Sequence, residues 1–297
     1  MSIEEIITHA LREDVGDGDH SSLLSISPDF QGKSKLLVKE KGVIAGVQIA
    51  HRVFKKVDNE LKIELFILDG ASVNSGDVVF VVSGKVQSIL TAERLVLNIM
   101  QRMSGIATTT REYVRLIEGM HARLLDTRKT TPNFRVLEKM AVKIGGGDNH
   151  RMGLYDMIML KDNHIDFAGG LKNALEKTNR YLKEKQLSLP IEIETRSLEE
   201  VEEAMQLGGF QRIMFDNFTP QLVAQAVKIV NRRYETEASG NINKQTIRAY
   251  AETGVDFISV GALTNSVKSL DLSLKQQIKN EKLKNEVASQ RTEKVKS

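Results

Sequence analysis

The fold is decided between Ile191 and Pro220. Ile191-Glu192-Ile193-Glu194 is a short β-rich run with an acid at its tip, Ser197-Leu198-Glu199-Glu200 follows as a capping box, and Gly208 closes the helix it opens. Arg212-Ile213-Met214-Phe215 then repeats the strand and ends on Asp216, after which Thr219-Pro220 supplies an N-cap with proline at N1. This rhythm of strand, polar tip and helix extends in both directions. Arg123 to Leu125 ends at Asp126, Tyr155 to Leu160 at Lys161-Asp162, Arg233 to Glu237 at Ser239-Gly240, and Asp256 to Val260 at Gly261; Asn243 precedes a helix that stops at Gly254. Six strands alternating with helices imply a parallel sheet with right-handed crossovers. Polar residues end nearly every strand, whereas an open doubly wound sheet concentrates them at one switch point, so a barrel-like α/β unit with its site at the strand C-termini is expected. No dinucleotide fingerprint follows the first strand, and no Walker motif occurs.

Before Gly119 the pattern differs. From Lys33 to Val82, short β-rich runs (Lys35 to Lys39, Ile63 to Leu68, Val78 to Val82) are punctuated by Gly42, Gly46, Gly70, Gly76 and Gly84, and apolar stripes at helical spacing bracket them in Ser2 to Arg12 and Ser88 to Met103. An α+β domain over residues 1–105, an α/β barrel over 106–270 and a basic tail over 271–297 is the expected organisation. The chain has 297 residues, 41% of them hydrophobic and 27% charged, which is ample for real cores and ordinary for a globular protein. Its longest apolar runs, such as Val78 to Val82, are too short to span a bilayer. Met1-Ser2-Ile3-Glu4-Glu5 carries acids where a secretory signal carries basic residues, and there is no cysteine. Disulfides, thiolate metal sites and thiol catalysis are thereby excluded, and a cytoplasmic enzyme is the expectation. The net charge of +3 comes from the end of the chain, because residues 275–297 hold seven Lys/Arg against three Glu and the rest is near neutral. A basic nucleic-acid footprint is absent from the fold, and the tail reads as a solvated helix or disorder.

Chemistry concentrates at the strand tips. Asp126-Thr127-Arg128-Lys129-Thr130-Thr131-Pro132 packs two cations and three hydroxyls where a strand leads into a helix, an arrangement that favours anions; a capped helix start with solvated basic residues is the alternative. Lys143-Ile144-Gly145-Gly146-Gly147-Asp148-Asn149-His150-Arg151 carries two more glycines than a helix C-cap needs, so close approach of the backbone to something is expected. Lys161-Asp162-Asn163-His164 puts a lysine at the barrel mouth, facing Glu194 and Asp216, which could hold Mg²⁺, pair with the cations or shuttle protons. Ser239-Gly240 and Gly261-Ala262 end the last strands, where barrels commonly bind phosphate. Arg128, Lys129, Arg151 and Lys161 would repel one another in a shared cleft. A phosphorylated or polycarboxylated substrate, with Mg²⁺, accounts for them.

These three stretches, from Asp126, Gly145 and Lys161, resemble quinolinate phosphoribosyltransferases, the carboxylating nicotinate-nucleotide pyrophosphorylases of NAD biosynthesis. The resemblance extends from Glu13-Asp14-Val15-Gly16-Asp17-Gly18-Asp19 through Glu93 to Asn98 and Ser104-Gly105-Ile106-Ala107-Thr108. It continues in Phe215 to Phe218, Glu237 to Gly240 and Ser259 to Thr264, and so covers nearly everything before Lys275. It implies an N-terminal sandwich domain joined to an incomplete α/β barrel, in a homodimer or larger assembly with a shared active site.

It also implies a reaction in which the pyridine nitrogen of quinolinate displaces pyrophosphate at ribose C1 of phosphoribosyl pyrophosphate, through a transition state of oxocarbenium character, before the 2-carboxylate leaves as carbon dioxide. By motif, Arg128, Arg151 and Lys161, with His150 nearby, would line the quinolinate pocket, and Lys129 would add a further cation. Arg94 would enter from the neighbouring subunit. Glu194 and Asp216 would face ribose and magnesium, and Ser239, Gly240, Gly261 and Ala262 would hold the 5′-phosphate. The implied catalytic residues are Lys129, Lys161, Glu194 and Asp216. Two positions depart from the family pattern: Thr195-Arg196 follows Glu194 where an apolar and an acidic residue are usual, and Asn265 stands where a histidine is common. A related group associated with molybdenum transport shares the architecture but does not keep the Lys161-to-His164 signature. A Schiff-base aldolase using Lys161 leaves the Arg128/Arg151 pair unexplained.

Overall fold

The computed structural model describes residues 1–277. Most of the basic segment expected to be a helix or disorder lies outside the described residues. The N-terminal unit runs α1 (Ile3–Val15), α2 (His20–Ser25), β1 (Gln31–Val38), β2 (Gly42–Val43), α3 (Val47–Val57), β3 (Lys62–Leu65), β4 (Ser72–Val73), β5 (Val78–Lys85) and the long α4 (Val86–Leu116). β1, β5 and β3 form an antiparallel sheet whose alternating Leu36, Val38, Phe80 and Val82 are buried, with Phe80 edge-on to Phe54 of α3 at 5.8 Å. The fourth strand comes from the far end of the chain. β12 (Leu272–Gln276) pairs antiparallel with β1 and buries Leu272 and Leu274, so the segment assigned to the tail from residue 271 begins as an edge strand of the N-terminal sheet.

α4 continues past Met103, where the sequence stripe ended, because the polar and small residues there serve as contact points. Ser104 Oγ accepts from the Ala45 N–H at 2.9 Å and Thr108 Oγ1 from the Val43 N–H at 2.8 Å. A Cβ on Gly105 would lie 2.3 Å from the Lys268 carbonyl, so only glycine lets the returning chain lie against the helix.

The C-terminal unit comprises β6 (Arg123–Leu125), α5 (Arg135–Gly145), β7 (Ile158–Leu160), α6 (Asp162–Ala168), α7 (Leu171–Lys185) and β8 (Ile191–Thr195). It goes on through α8 (Leu198–Leu207), β9 (Arg212–Asp216), α9 (Pro220–Val230), β10 (Glu235–Ser239), α10 (Ile247–Ala251), β11 (Phe257–Ser259) and α11 (Ala262–Asn265). The six strands are parallel in the order β6-β11-β10-β9-β8-β7. The first two strands of the unit therefore sit at opposite edges, the arrangement of a barrel whose β6–β7 pairing is missing, and only an isolated bridge from Leu125 to Asp148 spans part of that gap. Both expected N-caps form, Ser197 Oγ accepting from Glu200 N and Thr219 Oγ1 from Leu222 N, each at 3.3 Å, but the capping box does not close, because Glu200 accepts instead from the Arg196 N–H at 2.7 Å. β7 begins three residues later than the pattern suggested. Asp156 accepts from the N–H groups of Met152 and Gly153 at 2.7 and 2.9 Å and holds that segment as a turn.

Candidate active site

A cavity of about 660 Å³ opens at the C-terminal ends of the barrel strands. Its wall includes Arg128 and Lys129 after β6, His150 and Arg151 before β7, Lys161 after β7, Glu194 on β8, Asp216 on β9, Ser239 and Gly240 at the end of β10, and Gly261 and Ala262 after β11. A groove of about 720 Å³ in the N-terminal unit is lined by Ile26, Phe30, Val86 and Leu90 among others, and none of the strand-tip residues reaches it. The strand-tip residues singled out in the sequence meet in the polar cavity.

Two main-chain segments are locked together beneath the cations. Asp126 is fully buried, accepts from the His150 N–H at 2.9 Å and is bonded by Lys139 of α5, whose ammonium also donates to the His150 carbonyl at 2.9 Å. Burial pushes the Asp126 carboxyl up to about 6 against the pull of Lys139, and burial likewise lowers the lysine. Arg151 is aimed by its Met157 carbonyl bond at 3.1 Å; burial, then the neighbouring charge of Arg128, lowers its pKa. Across the mouth Lys161 Nζ donates to Glu194 Oε2 at 2.5 Å, while His164 Nδ1 accepts from the Lys161 N–H at 3.0 Å and fixes the strand tip. Gly240 has a φ of +96°, and a Cβ there would lie 2.3 Å from Asn217 Oδ1; a Cβ on Gly261 would press on Lys129 Cδ at 3.1 Å. Both glycines keep the floor open.

Below this layer lies a second, fully buried one. Strand alternation that turns Glu194 inward turns Glu192 inward too, and β10 does the same with Glu237. His150 Nε2 lies 3.0 Å from Glu192 Oε2 and 3.4 Å from Glu237 Oε2, and Arg212 of β9 bonds Glu237 at 3.2 Å. Burial opposes charge on His150, but the two carboxylates outweigh it and raise its pKa; burial and then Glu237 raise Glu192. The three side chains are close enough to bracket a metal ion. His150 Nδ1 accepts from the Arg151 N–H at 2.7 Å, which leaves Nε2 as the ring nitrogen facing the two acids.

One expectation changes. The segment Thr127–Thr131 is not at a helix N-terminus, since α5 starts only at Arg135, after Asn133 in a left-handed turn at φ 61°. The close backbone approach expected of the triple glycine is made to α4: a Cβ on Gly145 would lie 2.7 Å from the Ala107 carbonyl, and one on Gly147 3.0 Å from Thr110 Cγ2. Arg94 is exposed on α4 and does not line the cavity of its own chain.

Comparison with known proteins fits this geometry. The model of the quinolinate phosphoribosyl transferase N-terminal domain matches residues 17–104, and that of its C-terminal domain matches residues 106–275. The chain belongs to the quinolinate phosphoribosyltransferase family. A chloroplastic nicotinate-nucleotide pyrophosphorylase [carboxylating] of Oryza sativa is 46% identical over 289 residues, covering 92% of this chain and 77% of the relative. A probable enzyme of the same name in Bacillus subtilis is 41% identical over 281 residues, covering 95% and 96%. The crystal structure of NadC from Streptococcus pyogenes superposes with a TM-score of 0.87 at 41% identity, over 92% of this chain and 95% of that one.

Of the two departures noted in the sequence, Thr195-Arg196 lies outside the cavity lining and Asn265 within it. Thr195 is buried with its hydroxyl donating to the Met214 carbonyl at 2.9 Å, and Arg196 turns outward to Glu200 at 2.8 Å. Asn265 lines the cavity itself and accepts from Ser266 Oγ at 2.8 Å. The buried Glu192, Glu237, Arg212 and Lys139 were not singled out as site residues from the sequence. An acid at every second position of a strand that must bury both faces was the available signal.

Proposed function

We propose that this member of the quinolinate phosphoribosyltransferase family transfers phosphoribosyl from phosphoribosyl pyrophosphate to quinolinate with decarboxylation, giving nicotinate mononucleotide, pyrophosphate and carbon dioxide. The carrying observation is the convergence of Arg128, Lys129, Arg151 and Lys161 on one cavity that also holds Glu194 and Asp216. Cations so crowded need anionic partners, and a dicarboxylate together with a phosphorylated sugar supplies them. Arg128 and Arg151 hold the two carboxylates and set the pyridine nitrogen toward ribose C1. Lys161, oriented by Glu194, adds positive potential on the side where the 2-carboxylate leaves, and Glu194 and Asp216 face the ribose as positive charge develops at C1. Once alkylated, the ring nitrogen itself stabilises the carbanion, so no covalent enzyme intermediate is required.

Glu194 and Asp216 also fit Mg²⁺, which typically takes one or two carboxylates and completes its shell with phosphate oxygens and water. The chemistry such an ion supplies is neutralisation of the pyrophosphate leaving group. Ser239, Gly240, Gly261 and Ala262 hold the 5′-phosphate. Arg94, exposed on α4, completes the pocket of a second subunit in a homodimer or larger assembly. Among the described residues no helix is long and apolar enough to cross a membrane.

The close Lys161–Glu194 pairing speaks against a Schiff-base role, which needs an unpaired amine. Carbon dioxide release from carboxyl-labelled quinolinate tests the proposal. Release that depends on phosphoribosyl pyrophosphate is expected, and its absence from folded protein overturns the reading.

A further inference from the structure

We propose that Arg102 and Glu138 are positioning residues for the anion-binding segment Arg128–Thr131, so that the N-terminal unit sets the affinity of the barrel for quinolinate. Neither residue lines the cavity. Glu138, on α5, has no exposed surface, and its carboxylate gathers four donors. Arg102 of α4 reaches Oε1 through Nε at 3.0 Å and Nη2 at 2.8 Å; the Thr131 hydroxyl reaches Oε1 at 2.9 Å, and the Thr131 N–H reaches Oε2 at 3.0 Å. A fully buried carboxylate persists only with a charged partner and filled lone pairs, and Arg102 is that partner.

The same guanidinium donates to the carbonyls of Thr264 and, at 3.3 Å, Val267. Thr264 in turn donates its hydroxyl to the Lys129 carbonyl at 2.8 Å. The segment carrying Arg128 and Lys129 is thus tied at two points, at Lys129 through Thr264 and at Thr131 through Glu138, with one arginine from the other domain at the junction. Arg128, which directly precedes the first tie, and Lys129, which carries it, project as long exposed side chains. Fixing their main chain in advance removes an ordering cost from binding, which is the general route from preorganisation to affinity. A planar fork is required, because a lysine ammonium at residue 102 cannot serve Glu138 twice and two carbonyls as well.

This inference rests on the proposed function for its substrate, so the test reads the tie in two ways. Arg102→Lys, Glu138→Gln and Thr131→Val are made in the full-length protein. Hydrogen exchange of the amides at 128–131 is measured without ligand, and quinolinate binding is measured by calorimetry beside steady-state kinetics. Exchange at Thr131 should rise at least tenfold in Arg102→Lys and Glu138→Gln. The Kd and KM for quinolinate should rise at least tenfold in those variants and about threefold in Thr131→Val, with kcat falling less than KM rises. A merely structural defect lowers kcat through the folded fraction and leaves KM in place. Unchanged exchange, or a quinolinate KM within twofold of wild type, overturns the positioning role. If Glu138→Gln does not fold, Arg102→Lys and Thr131→Val decide. Wild-type protein that neither binds quinolinate nor releases carbon dioxide would refute the functional reading, and the exchange measurement would still judge the tie.

Discussion

Replacing Lys139 by methionine isolates the cost of the buried charge under the site. Lys139 is 1% exposed and Asp126 0%, so methionine keeps most of the stem packing while removing the one counter-charge bonded to the carboxylate among the described residues. Asp126 Oδ1 then retains the His150 N–H alone, Oδ2 already lacks a partner, and the His150 carbonyl loses its 2.9 Å donor. Breaking a buried pair from one side costs about 3–5 kcal/mol. At about 2–4 °C per kcal/mol, Tm should fall by about 6–20 °C.

The pH dependence gives the argument a sign. Burial already pushes Asp126 up to about 6 from an ordinary 3.8, and without Lys139 it rises further. An acid raised in the folded state keeps its stability below the unfolded value and loses it as pH rises through the folded value. Urea unfolding should therefore show the full deficit of Lys139→Met at pH 8 and a smaller one at pH 5. Asp126→Asn added to Lys139→Met removes both charges and should recover at least half of the loss. A deficit below about 1 kcal/mol at pH 8, or an equal one at pH 5, refutes the reasoning.

Arg151→Lys keeps the charge but loses the fork aimed by the Met157 carbonyl. With charged hydrogen bonds worth roughly 1.5–3 kcal/mol each, kcat/KM should fall on the order of ten- to a thousandfold, and a value within threefold of wild type removes the bidentate role. Nicotinate, lacking the 2-carboxylate, should be a very poor acceptor in the same assay, and comparable turnover would contradict the pocket assignment. Excess chelator should abolish turnover, and full activity there would leave Glu194 and Asp216 without a metal to hold. Inactive Arg94→Ala and Lys161→Ala homodimers, mixed under conditions of subunit exchange, should regain roughly a quarter of wild-type activity, because about half the dimers are mixed and each has one intact site. No recovery, with exchange verified by mass spectrometry, would show that Arg94 serves its own subunit or only its own helix.

The strand-tip residues were legible because a barrel delivers whatever ends its strands to one mouth, and Lys161, Glu194 and Asp216 need no knowledge of packing to be placed there. The layer beneath was less legible. Glu192 and Glu237 sit inside strands, where local pattern reports a buried face but not which partner from another strand neutralises it. Asp126 with Lys139, and Arg102 with Glu138, are pairs whose meaning appears only once α5 lies against β6 and α4. The triple glycine signalled a close approach that was real, but its own residues could not name α4 as the object. β12 was missed because a short strand that pairs with the opposite end of the chain leaves no sign of its destination in its own residues.

That returning strand also sets a timetable. Ser34 pairs with Gln276, so the outer edge of β1 stays uncovered until nearly all of the described chain has been synthesised. At about 5–20 residues per second this is a wait of roughly ten to fifty seconds on the ribosome. An unpaired edge is a template for aggregation over that interval, and lysines along a strand blunt such edges. β1 carries Lys33 and Lys35 along it. A gene cut between the two units, near residue 105, would release an N-terminal fragment in which that wait never ends.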